Sequence, residues 1–193
     1  MTATQIDLLE SVLRTTRRLA DRLEPRDLER PTPCDELDVR RLLEHLIGWQ
    51  QIMGACAAGL EPALADGSPT YVASADIAGD LRAASTALVN SLRQRNDDTI
   101  VLPYRGSTSV DVMHAEQLAE HVIHTWDLGA ALGVPVSFDE EVVTAAHEGL
   151  SLMLGESFAE MGFRTPVSAQ PAPTELARLL VRSGRSPADW PTP

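Results

Sequence analysis

Apolar residues recur at helical spacing through most of the chain. Between residues 4 and 24, Ile6, Leu9, Leu13, Thr16, Leu19, Ala20 and Leu23 share a stripe, and Arg14, Arg17, Arg18 and Arg22 lie largely off it. That spacing predicts an amphipathic helix, which Pro25 ends. A second helix is expected over about 39–59, with Asp38 as its N-cap and Val39, Leu42, Leu43, Leu46 and Met53 as its stripe. A third, about 75–95, carries Ile77, Leu81, Ala84, Leu88 and Leu92. The fourth spans 109–133; Asp111 can cap its start, and Gly133 followed by Pro135 can stop it. A fifth, 138–161, opens on Asp139, Glu140 and Glu141, which suit the positive end of the helix dipole, and ends at Gly162. Thr174 begins a last short helix to residue 183, after which Trp190 is expected to pack back onto the body.

Between the helices, 25–38 is a connector with Pro31 and Pro33, and 60–74 is a longer one rich in Gly, Pro and Ser. A connector of that length suits a pocket mouth. Thr99 to Pro103 reads as a short extended segment, Gly106 as a turn, and 163–173 as proline-punctuated extended chain. The pattern implies an all-α fold. We expect an up-and-down four-helix bundle with additional C-terminal helices, in a single domain spanning 1–193.

The fourth helix stands apart. Glu120 and His124 are one turn apart on one face, and Glu116 and Asp127 fall on that face too. Glu-x-x-x-His is common on solvated helix faces. Here, however, Met113 and Ile123 interrupt the polar face, and Val112, Ala119, Trp126, Leu128 and Leu132 flank it on both sides. A helix apolar on both flanks is mostly buried, and a buried acid needs a partner. A carboxylate and an imidazole so placed can share a metal ion. The best-placed third ligand is His45, mid-helix and in line with Trp49, Ile52 and Cys56.

If the second and fourth helices are neighbours, His45, Glu120 and His124 converge. Two imidazoles and a carboxylate suit zinc, with nickel, iron and manganese open. Three protein ligands leave positions for water or substrate, the catalytic rather than the structural arrangement. Glu44, Glu116, His121 and Asp127 are supporting or base candidates. Asp127 is favoured as the partner of His124, and Asp127 and Glu116 are the catalytic candidates. His121 points about 100° away from Glu120 and is expected outside the ligand set. His114 and His147 are expected at the surface.

Composition narrows the rest. The chain has 193 residues, 44% of them hydrophobic, which is enough for a core. Its net charge of −12 argues against nucleic acid or an anionic membrane as partner. No apolar run reaches the length of a membrane span and no signal peptide is visible, so a cytoplasmic location is expected. The cysteines, Cys34 and Cys56, form no Cys-x-x-Cys pair. No Gly-rich phosphate loop and no Gly-x-Ser-x-Gly elbow occurs. All the basic side chains are arginine; there is no lysine.

Three landmarks together carry a family resemblance. Thr32-Pro-Cys34 leads into Val39-Arg-Arg-Leu-Leu-Glu-His45-Leu-Ile-Gly48. Glu120-His-Val-Ile-His124-Thr-Trp-Asp-Leu128 follows, and then Leu179-Leu with Gly184-Arg-Ser-Pro187 and Trp190. The chain resembles the DinB-like superfamily, in particular the metal-binding domain of mycothiol-dependent maleylpyruvate isomerases and its one-domain relatives. The resemblance implies a four-helix bundle, a metal triad at His45, Glu120 and His124, a divalent ion that is usually zinc, and mycothiol as thiol cofactor. Mycothiol is a small thiol of high-GC bacteria, in keeping with the arginine-only bias.

The chain departs from the pattern at Leu37, where Trp is common. It carries one extra residue between Pro187 and Trp190, and it is expected to be without the second, C-terminal domain of the isomerases. The expected function is a metal- and thiol-dependent transferase or isomerase acting on a small electrophile, as a monomer or homodimer. The alternatives are a non-enzymatic metal- or ligand-binding stress protein and a metal-dependent hydrolase.

Overall fold

A computed structural model describes residues 4–154 and 174–190. Among the described residues six α-helices carry the fold: α1 (Gln5–Ala20), α2 (Val39–Ala57), α3 (Ile77–Gln94), α4 (Val110–Leu132), α5 (Glu140–Leu154) and α6 (Glu175–Arg182). The all-α expectation holds. No helix among the described residues is long and apolar enough to cross a membrane. The part of the fifth helix expected beyond 154, its end at Gly162 and the extended stretch 163–173 lie outside the described residues.

Local chemistry explains the helix ends. Asp38 accepts from the Arg41 N–H at 2.8 Å, and Thr174 from the Ala177 N–H at 3.1 Å, each satisfying an orphan donor of the first turn. Gly133 ends α4 in the left-handed region (φ 66°), a conformation that other residues adopt only at a cost. The N-cap of α4 is Ser109, which accepts from the Val112 N–H at 3.2 Å, and not Asp111. Ser109 is also the last residue of a strand, so its extended backbone already has the geometry a cap needs. Asp111 falls within the first turn, where its charge suits the dipole.

Two small antiparallel hairpins decorate the bundle. The extended segment expected at 99–103 is strand β3 (Thr99–Leu102), paired with β4 (Gly106–Ser109). The connector 60–74 holds a minimal hairpin, β1 (Leu64–Ala65) with β2 (Ser68–Pro69), turned at Asp66 and Gly67, both at positive φ. From there the chain climbs back along α2. Pro69 closes against Gly48, where a Cβ would come within 2.4 Å of the proline Cβ. Glu44 accepts from the Ala73 N–H at 3.0 Å.

This return makes α2 and α3 run the same way, with α1 and α4 opposed to them, so the four helices run up-down-down-up and not in the strict up-and-down alternation expected. Gln50 thus meets Ser85, and Gly54 meets the Leu88 backbone. Two apolar clusters fill the bundle. One gathers Leu9, Leu13, Met53, Leu88, Ile100, Val122 and Leu150. The other gathers Leu19, Leu42, Leu46, Leu81 and Leu128. Between them, at mid-depth, lies a thin polar layer. Thr16 on α1 and Thr125 on α4 share a hydroxyl hydrogen bond of 2.6 Å, and Ser85 donates to Gln50, whose amide meets His121 at 3.1 Å. The α2–α4 seam at this depth carries the candidate site.

Candidate metal centre

The paired stripes bring His45 of α2 against Glu120 and His124 of α4. One ligand atom from each lies within 4.8 Å of the other two. His45 Nε2 is 2.7 Å from Glu120 Oε1, and His124 Nε2 is 3.1 Å from the same oxygen. The side chains of His45, Glu120 and His124 are 30%, 13% and 6% exposed, so the cluster opens to solvent on the His45 side. The rings of His45 and His124 meet edge to face, 5.0 Å between centroids.

Elementary valence rules decide the protons. Asp127 Oδ2 lies 2.9 Å from His124 Nδ1, and a carboxylate only accepts, so Nδ1 carries the hydrogen. His124 Nε2 then faces the Glu120 oxygen, and two lone pairs cannot meet there without a cation between them. In the metal-free protein a proton serves. Burial opposes the charge on His124, but Glu120 and Asp127 overcome it and raise its pKa to about 9. Burial likewise opposes ionised Glu120, and the two imidazoles hold its carboxyl well below the usual range. A divalent ion answers the same need with the same donors, and the set of two imidazoles and a carboxylate fits one.

The surroundings differ on the two sides. Trp49 packs beside His45 with centroids 6.5 Å apart, and Tyr104 stands edge-on to Trp49 at 5.8 Å and 84°. The Tyr104 hydroxyl donates to Glu116 at 3.0 Å, and Arg105 pairs with the other oxygen of Glu116. Behind His124, Asp127 is gripped by Arg185 from the bend after α6. Cys34 lies near Arg185, Asp127 and Glu120. Burial pushes its thiol up to about 11, with Arg185 pulling the other way.

The sequence candidates therefore separate. His45, Glu120 and His124 come together, and Asp127 backs His124. Glu116 is committed to Tyr104 and Arg105, and Glu44 to the Ala73 N–H of the segment that returns along α2. His121 points elsewhere: its Nδ1 donates to the Gln117 carbonyl at 2.7 Å and its Nε2 receives Gln50. His114 is buried rather than at the surface, because it shares the side of α4 that carries Leu118, His121 and Thr125 and faces α1 and α2. His147 is half-buried at the α5–α6 seam, donating to the Glu175 carbonyl and receiving Arg182. Sequence reasoning missed Tyr104 and Arg105, and it left Arg185 as a letter in a tail motif.

The profile of the mycothiol maleylpyruvate isomerase N-terminal domain matches residues 9–129, which include all three clustered side chains. The chain belongs to that family. Two uncharacterized proteins, from separate strains of Mycobacterium tuberculosis, are similar to this chain. Each is 29% identical over 164 residues, covering 80% of this chain and 85% of its own. No solved structure matches. The family match ends before α5, so Arg185 lies beyond it.

Proposed function

We propose that this chain binds a divalent metal ion, zinc by its donor set and with nickel as the second choice, through His45, Glu120 and His124. We propose further that it works with a low-molecular-weight thiol, mycothiol by family, as a transferase or isomerase of a small electrophile. The observation that carries the reading is the convergence of three ligand atoms at a partly open, mid-bundle position. When bound, such an ion supplies a positive charge that keeps a thiol deprotonated at neutral pH. The chain's own residues do the rest. Asp127 keeps the His124 hydrogen on Nδ1 and leaves Nε2 for the ion. Trp49 and Tyr104 give the open side an aromatic wall that sheds water.

The test is elemental analysis of protein purified without a histidine tag, followed by thermal shift with zinc, nickel and manganese, each with and without mycothiol. One equivalent of metal is expected. At about a hundredfold excess over Kd, metal contributes about 2.7 kcal/mol of stability, with a further rise on adding thiol. Metal stabilisation with no thiol effect rejects the thiol-dependent reading. No metal uptake, with His45→Ala indistinguishable from the parent, rejects the metal.

A further inference from the structure

Arg185 comes from the far end of the chain and is turned onto the back of His124. Its side chain is 4% exposed and that of Asp127 is 0% exposed. Nε donates to Asp127 Oδ1 at 3.3 Å and Nη2 to Oδ2 at 2.9 Å, a two-pronged grip on the carboxylate. Nη1 donates to the Ser183 carbonyl at 2.9 Å, which fixes the guanidinium from behind. The bend that delivers it is well defined. Gly184 takes positive φ (83°), and the Arg185 N–H closes onto the Leu180 carbonyl at 2.9 Å. Asp127 Oδ2, held in this way, is the same atom that accepts from His124 Nδ1.

A carboxylate so gripped has one orientation. Released, it is free to rotate about its side-chain torsions, and the imidazole that leans on it is free to turn. The segment does not need this arginine in order to dock. Leu179 and Leu180 are buried at 0% and 1% exposure, and Arg182 already ties α6 to His147 and Ser151 of α5.

We propose that Arg185 is a positioning residue of the metal centre. It clamps Asp127 so that His124 keeps its Nδ1–H on that carboxylate and turns Nε2 toward Glu120 and His45. The C-terminal bend thereby sets the affinity of the site for its ion without touching it. The proposal rests on the metal reading above. By linkage, a bound ion tightens the hold of the bend by the same factor.

The experiment compares the full chain with Arg185→Gln, Arg185→Lys and Arg182→Gln. Zinc affinity is measured by competition with a chromophoric chelator, and the His124 Nδ1–H proton is followed by NMR in ¹⁵N-labelled, metal-free protein. Arg185→Gln should weaken zinc about 10–100-fold, the usual effect of losing a group that orients a metal ligand. It should also shift the Nδ1–H signal or speed its exchange. Arg185→Lys keeps the charge but not the fork, and should fall between the two. Arg182→Gln should lower the melting temperature and leave zinc affinity within about twofold, since among the described residues its side-chain hydrogen bonds go to α5.

Zinc binding by Arg185→Gln at parental affinity, with an unchanged Nδ1–H proton, overturns the proposal. If Arg185→Gln does not fold, parental affinity in Arg185→Lys overturns it equally. If the parent takes up no zinc, the metal reading has failed on its own. The metal-free proton signal then still decides: unchanged in the variant, it removes Arg185 from any role in setting His124.

Discussion

Replacing Glu116 with alanine should destabilise the protein by about 3 kcal/mol and leave zinc uptake nearly untouched. Glu116 shares a face of α4 with Glu120, one turn away, which made it a base candidate by spacing alone. In the structure its side chain is 1% exposed and is paired with Arg105, itself only 14% exposed. Its other oxygen accepts from the Tyr104 hydroxyl at 3.0 Å. Breaking a buried pair by removing one partner typically costs about 3–5 kcal/mol, and Arg105 retains an edge of solvent, which favours the lower end. For a chain of this length each kcal/mol moves Tm by roughly 2–4 °C, so a fall of about 6–12 °C is expected. Glu116→Gln preserves an acceptor for Tyr104 and should lose only about half as much. Urea unfolding gives the stability, and chelator competition gives the zinc affinity. A stability loss below about 1 kcal/mol, or a zinc affinity down more than about tenfold, would show that this carboxylate serves the metal centre and not the hairpin.

Two further predictions test the packing around α4. At Gly149 an added Cβ would come within 1.8 Å of the Ala115 carbonyl oxygen, which is helix backbone and cannot step aside. Gly149→Ala should therefore separate α5 from α4, cost at least about 3 kcal/mol and yield largely insoluble protein; soluble protein with parental Tm refutes the close approach. His121 is held neutral: burial, with the charges of His124 and His45, lowers its pKa from 6.5 to about 4 against the pull of Gln117 and Glu120. Its folded value lies below its unfolded one, so the stability it contributes is fully present above pH 6.5 and is lost as pH falls toward 4, up to about 3 kcal/mol. His124 carries the opposite sign in metal-free protein, favouring the fold below pH 6.5 and losing that contribution as pH rises through about 9. Urea midpoints at pH 7, 5.5 and 4.5 should fall steeply in the parent and less in His121→Gln; equal slopes would assign the acid lability to other groups.

Much of this was legible in the sequence because helical stripes report burial directly. The stripes of α1 to α3 named core residues such as Leu9, Leu42, Leu81 and Leu88, and the cap at Asp38 and the start of α6 at Thr174 followed from side-chain chemistry. The convergence of His45 with Glu120 and His124 was reachable because all three break otherwise apolar surroundings at mid-helix. Other features depended on partners that spacing cannot supply. Ser109 and Asp111 are both good caps, and the choice between them was made by pairing of β4 with β3. Glu116 looked like Glu120 by angle, and only the turn carrying Tyr104 and Arg105 separates their roles. Arg185 meets Asp127 across 58 residues, a contact that no local pattern encodes. The Asp66-Gly67 turn was a readable hairpin signal, but strands of two residues each leave no alternation to see.

The polar layer explains why the centre sits where it does. Each bundle helix carries a polar residue at the same depth: Thr16, Gln50, Ser85, and the pair of His121 and Thr125. An apolar replacement at any one of them would strand its neighbour, since a buried polar group without a partner costs about 1–3 kcal/mol. The layer therefore fixes the vertical register of all four helices, in the way a buried polar residue fixes coiled-coil register. Glu120 and His124 are on α4 beside this register pin, and His45 is little more than one turn from Gln50 on α2. A slip of one turn along the α2–α4 seam would part Gln50 from His121 and His45 from Glu120 together. Gln50→Leu should then loosen zinc binding by more than its distance from the ion suggests. Double-mutant coupling between Gln50→Leu and His45→Ala measures this: additive effects on stability in metal-free protein would show that the layer and the centre are independent.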